Sequence, residues 1–308
     1  MMTEINGLAV GFICYEPDPD RLIMAVNALK AQAAHIYIVD NASSNEEVFS
    51  RLLSQDPVAD KISWIRNEEN LGVAAPLDDL LSRASNDGYQ WLLSMDQDSV
   101  FEEGALKILH QTGEEYHAAL VCPLAADPRR KNEPPAKKED LISEVPFCIT
   151  SGSLMNIEKI QKAGGIDRFL FIDLIDTELC YRLILNGEKI LCDHKVLLNH
   201  ELGKITPSPF EKEALYLFHK TGISVFGKLS YKREVFPERV YYVTRNALYL
   251  ESKYNAHPLP EFSSSWAFKN GISSVLRGKK KIKIWKNFRR GWKDGKAIQK
   301  EWKDKNDN

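Results

Sequence analysis

Long apolar runs are missing from this 308-residue chain: no stretch approaches the roughly 20 residues that a helix needs to cross a bilayer. Residues Met1 to Asn6 lack the basic and apolar segments of a secretory signal, so the body is expected in the cytoplasm. Cysteine is scarce and unpatterned. The five residues, Cys14, Cys122, Cys148, Cys180 and Cys192, are odd in number, scattered and set mostly among apolar neighbours. That distribution argues for buried thiols and against a disulfide framework or a zinc site. No internal repeat is present.

The composition, 44% hydrophobic and 27% charged, is that of an ordinary globular protein. The length suits one large α/β domain with a helical appendage, or two modest domains; the first is expected, with boundaries at 1–208 and 209–308. The formal net charge of −2 conceals an asymmetry. From Lys269 to the end there are 14 Lys/Arg against 4 Asp/Glu, while the rest of the chain carries 27 against 39. Tail and body therefore differ in electrostatic character.

The first half alternates short apolar runs with amphipathic ones. Strands are predicted at 8–15, 35–39, 62–66 and 89–95, and helices at 19–33, 45–54 and 73–85. That order predicts an α/β fold with a mostly parallel sheet covered by helices on both faces. Residues 125–143 are polar and proline-rich and read as a surface loop. Beyond it come a strand at 145–150, helices at 156–163 and 176–186, a strand at 189–198, and a largely helical remainder with a helix from Pro237 to about Tyr254.

Ligands of such sheets bind beyond the carboxyl ends of the strands. Asp40, Asn67 and Asp96 each fall at or just past a predicted strand end, so they can converge although distant in sequence. In Asp96-Gln97-Asp98-Ser99, two carboxylates one residue apart can share a divalent cation; a solvated turn is the alternative. Asp40 can accept the N3–H of uracil or thymine; alternatively Asp40 or Asn41 merely caps the helix that follows. Asn70-Leu71-Gly72 permits close approach of a phosphate or sugar, and equally starts an ordinary helix. Asp173, Asp176 and Glu178 open another helix, whose dipole favours all three. If Asp176 faces the crevice it can also take a proton from an acceptor hydroxyl. His200 ends a predicted strand and is either a metal ligand or structural.

Val-Asp-Asn-Ala-Ser at 39–43, Asn-Leu-Gly-Val-Ala-Ala at 70–75, Met-Asp-Gln-Asp-Ser at 95–99, Thr-Ser-Gly-Ser-Leu-Met at 150–155, the 171–182 segment, His200 with Gly203, and Tyr-Tyr-Val-Thr-Arg-Asn at 241–246 occur in one order. Together they resemble family 2 glycosyltransferases of the GT-A fold, above all bacterial rhamnosyltransferases of surface polysaccharide synthesis. The resemblance implies a nucleoside-diphosphate sugar donor, dTDP-rhamnose first and a UDP-sugar second, and a saccharide or lipid-linked acceptor. It implies that Asp40, Asn67, Asn70, Gly72, Asp96 and Arg245 bind the nucleotide sugar. Asp98 and His200, with Asp96, would hold Mg2+ or Mn2+, and Asp176 would be the base of an inverting transfer. Ser151, Gly152 and Asp173 are expected at the acceptor or sugar, with Asp173 the reserve base. Asp78-Asp79 departs from the asparagine many relatives carry. A haloacid-dehalogenase-type phosphatase would use Asp96 as nucleophile, but needs its Asp-x-Asp after the first core strand, and here three strands precede it. A non-catalytic scaffold is disfavoured because every expected polar position is occupied.

Residues 279–292 interleave cations with Trp285, Phe288 and Trp292 at helical spacing. An anionic membrane surface is the expected partner, aromatic side down, at the inner face of the cell membrane. Packing on the body, with Trp285 and Trp292 as core, is the alternative. No base-reading motif accompanies the patch, so nucleic acid is not expected.

Overall fold

The computed structural model describes residues 4–45, 59–126, 142–199 and 205–306. These form two compact units, Met1–Phe169 with Leu179–Leu202, and Leu170–Glu178 with Gly203–Asn308.

The first unit is built on a nine-stranded sheet of β1 (Ile5–Cys14), β2 (Ala33–Asp40), β3 (Ile62–Arg66), β4 (Trp91–Asp96), β5 (Val100–Phe101), β6 (Leu120–Ala126), β7 (Ile142–Glu144), β8 (Ser153–Asn156) and β9 (Ile190–Asn199). Their order is β3-β2-β1-β4-β8-β6-β9-β5, with β7 also paired to β9. The run from β3 to β4 is parallel throughout. β8 enters antiparallel between β4 and β6. The helices here are α1 (Pro19–Leu29), α2 (Ala74–Asn86), α3 (Ala105–Tyr116), α4 (Ile157–Lys162) and α5 (Ile175–Leu185), the last beginning in the second unit. The α/β class and the parallel β3-β2-β1-β4 run are as expected from the sequence.

β1 is buried over most of its length because helices cover both faces of a central parallel strand. α1 starts where Asp18 accepts the N–H groups of Asp20 and Arg21 and Pro19 supplies a preset φ. It buries Leu22, Ala25, Val26 and Leu29, one stripe at helical spacing. α2 does the same with Leu77, Leu80, Leu81 and Ala84. Each such leucine removed from water contributes roughly 2 kcal/mol. Gly11 in β1 lets α2 come close: a Cβ there would lie 2.8 Å from Leu80 Cδ1.

Several expectations change. The strand at 145–150 does not form; Val145 makes one ladder bond to Ile190, and Pro146 has no N–H to continue it. β7 and β8 flank that gap instead. β6 and α3 were not foreseen. Pro123 interrupts β6 and the register with β9 shifts beside it, while α3 begins at Gly104, which offers no side-chain cap. The helix expected at 45–54 and most of the loop at 125–143 lie outside the described residues.

The second unit contains β10 (Ile205–Pro207) paired with β11 (Tyr231–Arg233), and helices α6 (Glu211–Thr221), α7 (Ser224–Leu229), α8 (Pro237–Lys253), α9 (Ser264–Arg277) and α10 (Lys281–Asn306). α10 packs on α8 and α9 with Ile284 and Phe288 in a shared core with Val240. Glycines make the contact close: a Cβ on Gly271 would meet Phe288, on Gly291 the Tyr241 carbonyl, and on Gly295 Leu248. The basic helix is thus an integral part of this unit. Phe288 is buried and Trp292 partly so, whereas Trp285 is exposed. An aromatic face turned to lipid is therefore not what Phe288 and Trp292 provide. Trp285 is not the core residue the packing alternative assumed.

Candidate active site

Sheet register brings the predicted acids of the first unit together. Cys14, at the end of β1, is opposite Asp40 of β2, and Ile13 is opposite Asp96 of β4. Both carboxylates thus flank the same strand end. Burial first, and then the charges of Asp40 and Asp96, push the Cys14 thiol well up, so it stays protonated.

Asp40 is 0% exposed. Its Oδ1 accepts the Ser43 N–H at 2.9 Å, whereas Oδ2 has no hydrogen-bond partner among the described residues. Arg66 NH1 stands 3.6 Å from Oδ2, an offsetting charge beyond hydrogen-bond reach. A buried acceptor in that state is costly unless a donor arrives.

Asn41, next in sequence, is the hub of a network. Its Oδ1 accepts from Asn67 Nδ2 at 2.8 Å and its Nδ2 donates to the Gly72 carbonyl at 2.6 Å. The Asn67 N–H donates to the Asp40 carbonyl, and the Gly72 N–H to Asn70 Oδ1, both at 2.9 Å. Asp40, Asn67, Asn70 and Gly72 therefore belong to one network, with Gly72 at φ +77° where a side chain would be strained. Asp40 caps no described helix. Tyr15, unforeseen from the sequence, is half exposed just past β1, and its N–H donates to Gln97 Oε1 at 2.7 Å. Glu16 accepts from Ser44 N and Oγ, lacing the β1 and β2 loops together.

Asp96 ends β4 and Asp98 lies in the turn that follows, both half-buried. Ser151 supports that turn: its Oγ accepts the Asp96 N–H at 3.2 Å and sits 3.1 Å from Ser99 Oγ. The Gly152 N–H donates to the Ser94 carbonyl at 2.7 Å. Ser151 and Gly152, expected at the acceptor or sugar, are buried and brace the acidic turn from beneath. Gly152 has φ +75°, and a Cβ would come within 2.6 Å of Leu198 Cδ2. Gly152→Ala is expected to cost about 3 kcal/mol from strain plus overpacking, read as a lowered thermal midpoint. Asp78 and Asp79 also have structural duties: Asp78 Oδ1 accepts the Ile166 N–H, and both carboxylates pair with Arg168.

Among the described residues no group of three or more His, Cys, Asp or Glu side chains is arranged to hold a metal ion. His200 lies outside them. Asp96 and Asp98 are hard oxygen donors, and Mg2+ commonly takes one or two protein carboxylates while substrate phosphate and water complete its shell. The pair fits Mg2+ or Mn2+ on those terms.

The second unit holds the other candidates. Asp176 is half-buried in the first turn of α5. Glu178 is buried and accepts from Lys253 Nζ at 2.8 Å and Tyr254 OH at 2.6 Å, a pairing that adds to its place at the helix start. Asp173 is held by the Arg239 guanidinium, with Nε 3.1 Å from each carboxylate oxygen.

The loop before α5 is strained: Phe171, Asp173 and Leu174 have φ of 61°, 68° and 62° without being glycine. Asn246 holds it. Its Nδ2 donates to the carbonyls of Leu170, Ile172 and Asp173 at 2.8 to 2.9 Å, three acceptors sharing two hydrogens. Arg245 joins in, donating to the Leu170 carbonyl and to Asn246 Oδ1, and lies over the Tyr242 ring. Burial lowers its pKa. Arg245, expected at the nucleotide sugar, helps to position this loop.

The family model for glycosyl transferase family 2 matches residues 10–166. Over 207 residues, 62% of this chain and 68% of the relative, the sequence is 25% identical to the dTDP-rhamnosyl transferase RfbF of Shigella flexneri. Crystallised GalNAc-T7 with UDP, GalNAc and Mn2+ aligns with 89% of this chain at a TM-score of 0.54 and 15% identity; the chain spans 55% of its length. S. aureus TarS 1-349 in complex with UDP aligns with 96% of this chain and 91% of its own, at 0.53 and 11%. At these identities the two likenesses are of fold.

Proposed function

Because the chain belongs to glycosyl transferase family 2, we propose that it moves rhamnose from dTDP-rhamnose to a saccharide, free or lipid-linked, in cell-surface polysaccharide synthesis on the cytoplasmic side. The single observation that carries the donor class is Asp40 Oδ2, a buried acceptor without a donor at the mouth of the sheet. Thymine and uracil present an N3–H to such an oxygen; cytosine presents an acceptor there. Rhamnose and dTDP are supported by the Shigella relative named for that donor. A UDP-hexose is the second reading, favoured by the UDP in the two solved structures of like fold.

Asp40 accepts from the base, and the exposed Tyr15 ring offers it an apolar face. The Asn41, Asn67 and Gly72 network fixes the loops that carry these groups. Asp96 and Asp98, with His200, would hold Mg2+ or Mn2+, and Asp96 is also a ribose contact. The cation supplies positive charge against the diphosphate that leaves. Asp176 takes the proton of the acceptor hydroxyl as its oxygen attacks the anomeric carbon, and the bond to the diphosphate oxygen breaks, its electron pair departing with the nucleotide. One such displacement inverts the anomeric centre.

A screen of dTDP-, UDP-, CDP- and GDP-sugars, by thermal shift and sugar release with Mn2+, Mg2+ or EDTA, tests this. dTDP-rhamnose is expected to bind and turn over only with metal. Asp40→Asn is expected to weaken donor binding about tenfold, the loss of one charge-assisted hydrogen bond. A preference for CDP- or GDP-sugars, or full turnover in EDTA, would overturn the proposal.

A further inference from the structure

The end of α9 and the start of α10 expose large apolar side chains in the most basic part of the molecule. Leu276 is 69%, Ile282 76% and Trp285 41% exposed. Between Leu276 and Arg290 the chain has eight Lys or Arg and no Asp or Glu. An open basin of about 540 Å3 is lined by Lys279, Lys280, Lys281, Ile282, Lys283 and Lys286. Glu238 of α8 pairs with Lys283 at 2.6 Å; no ion pair among the described residues engages Lys279, Lys280, Lys281 or Lys286.

We propose that this corner is a docking surface for an anionic phospholipid bilayer, with Leu276, Ile282 and Trp285 entering the headgroup boundary and the lysines of the basin receiving lipid phosphates. Charge complementarity selects that occupant. A solvated basic face needs no exposed leucine, isoleucine and tryptophan at its centre, and an apolar protein partner gains nothing from repelling ammonium groups. Amphipathic surfaces with a cationic rim lie in the interface plane without spanning it, and no described helix is long and apolar enough to span. The face differs from the aromatic one that periodicity suggested, because Phe288 and Trp292 point into the unit. Membrane placement extends the transferase reading without resting on it, since vesicle binding needs neither donor nor acceptor.

The full chain is floated with vesicles of phosphatidylglycerol and phosphatidylcholine, and with phosphatidylcholine alone. Binding is expected only to the anionic vesicles and is expected to fall sharply in high salt. Lys279→Glu with Lys280→Glu and Lys281→Glu is expected to reduce it about 100-fold. Ile282→Ser with Trp285→Ser is expected to reduce it about tenfold. All five side chains are exposed, so the thermal midpoints of both variants should match the parent. No flotation, equal flotation on neutral vesicles, undiminished flotation of the triple variant, or binding of RNA without flotation would each overturn the proposal.

Discussion

Asp176→Asn is expected to slow transfer about 1,000-fold, the middle of the range for removing a general base, while donor binding stays within about twofold. The amide keeps the shape of the carboxylate but cannot take the acceptor proton. Its first-turn position means that lost charge costs stability only about 0.5 kcal/mol. Donor affinity by calorimetry and nucleotide release with acceptor present are the two measurements. Asp173→Asn separates the reserve candidate: it breaks the Arg239 pair, so it is expected to lower the thermal midpoint while leaving more residual turnover than Asp176→Asn. Wild-type rates in Asp176→Asn would exclude that residue as the base.

Asn246→Ala is expected to do the most damage away from the reacting atoms. Three non-glycine residues in left-handed conformations cost of order 1–3 kcal/mol each, and they persist because Asn246 and Arg245 over-determine the 170–174 loop. Deleting the amide takes a donor from the part-buried Ile172 and Asp173 carbonyls, while Leu170 keeps Arg245 and the Ile172 N–H, at ~1–3 kcal/mol per group left unsatisfied. We expect a stability loss of about 3 kcal/mol and a fall in turnover of about 100-fold at temperatures where the variant remains folded. Asn246→Asp is expected to be worse, since a carboxylate cannot donate to three carbonyls. Denaturant unfolding and turnover at low temperature test both; full activity in either variant would remove the loop from any positioning role.

The contrast between these residues shows what the sequence could disclose. β1 to β4 were legible because buried parallel strands are short apolar runs, and their carboxyl ends are where Asp40 and Asp96 stand. The 170–174 loop was not legible, because the usual mark of left-handed backbone is glycine and Phe-Ile-Asp-Leu contains none. Asn41 reads from the sequence as no more than a motif member or helix cap; its bonds to Asn67 and Gly72 span 26 and 31 positions, and no local pattern encodes them. β6 was hidden by Pro123, and α3 by an uncapped start. Periodicity found α10 but misplaced its inward face, since the partners that receive Phe288 are Gly271 and its neighbours on another helix.

The glycine seam along α10 has a practical corollary. Clipping the chain near Lys279 would strip the cover from Val240 and Leu248 and leave grooves at Tyr241 and Gly271 where side chains now interlock. A shortened protein would then adhere to vesicles, columns or itself through freshly bared interior, mimicking or masking genuine lipid affinity. Charge reversal at the rim leaves that interior sealed, so point substitution rather than deletion isolates the basic surface.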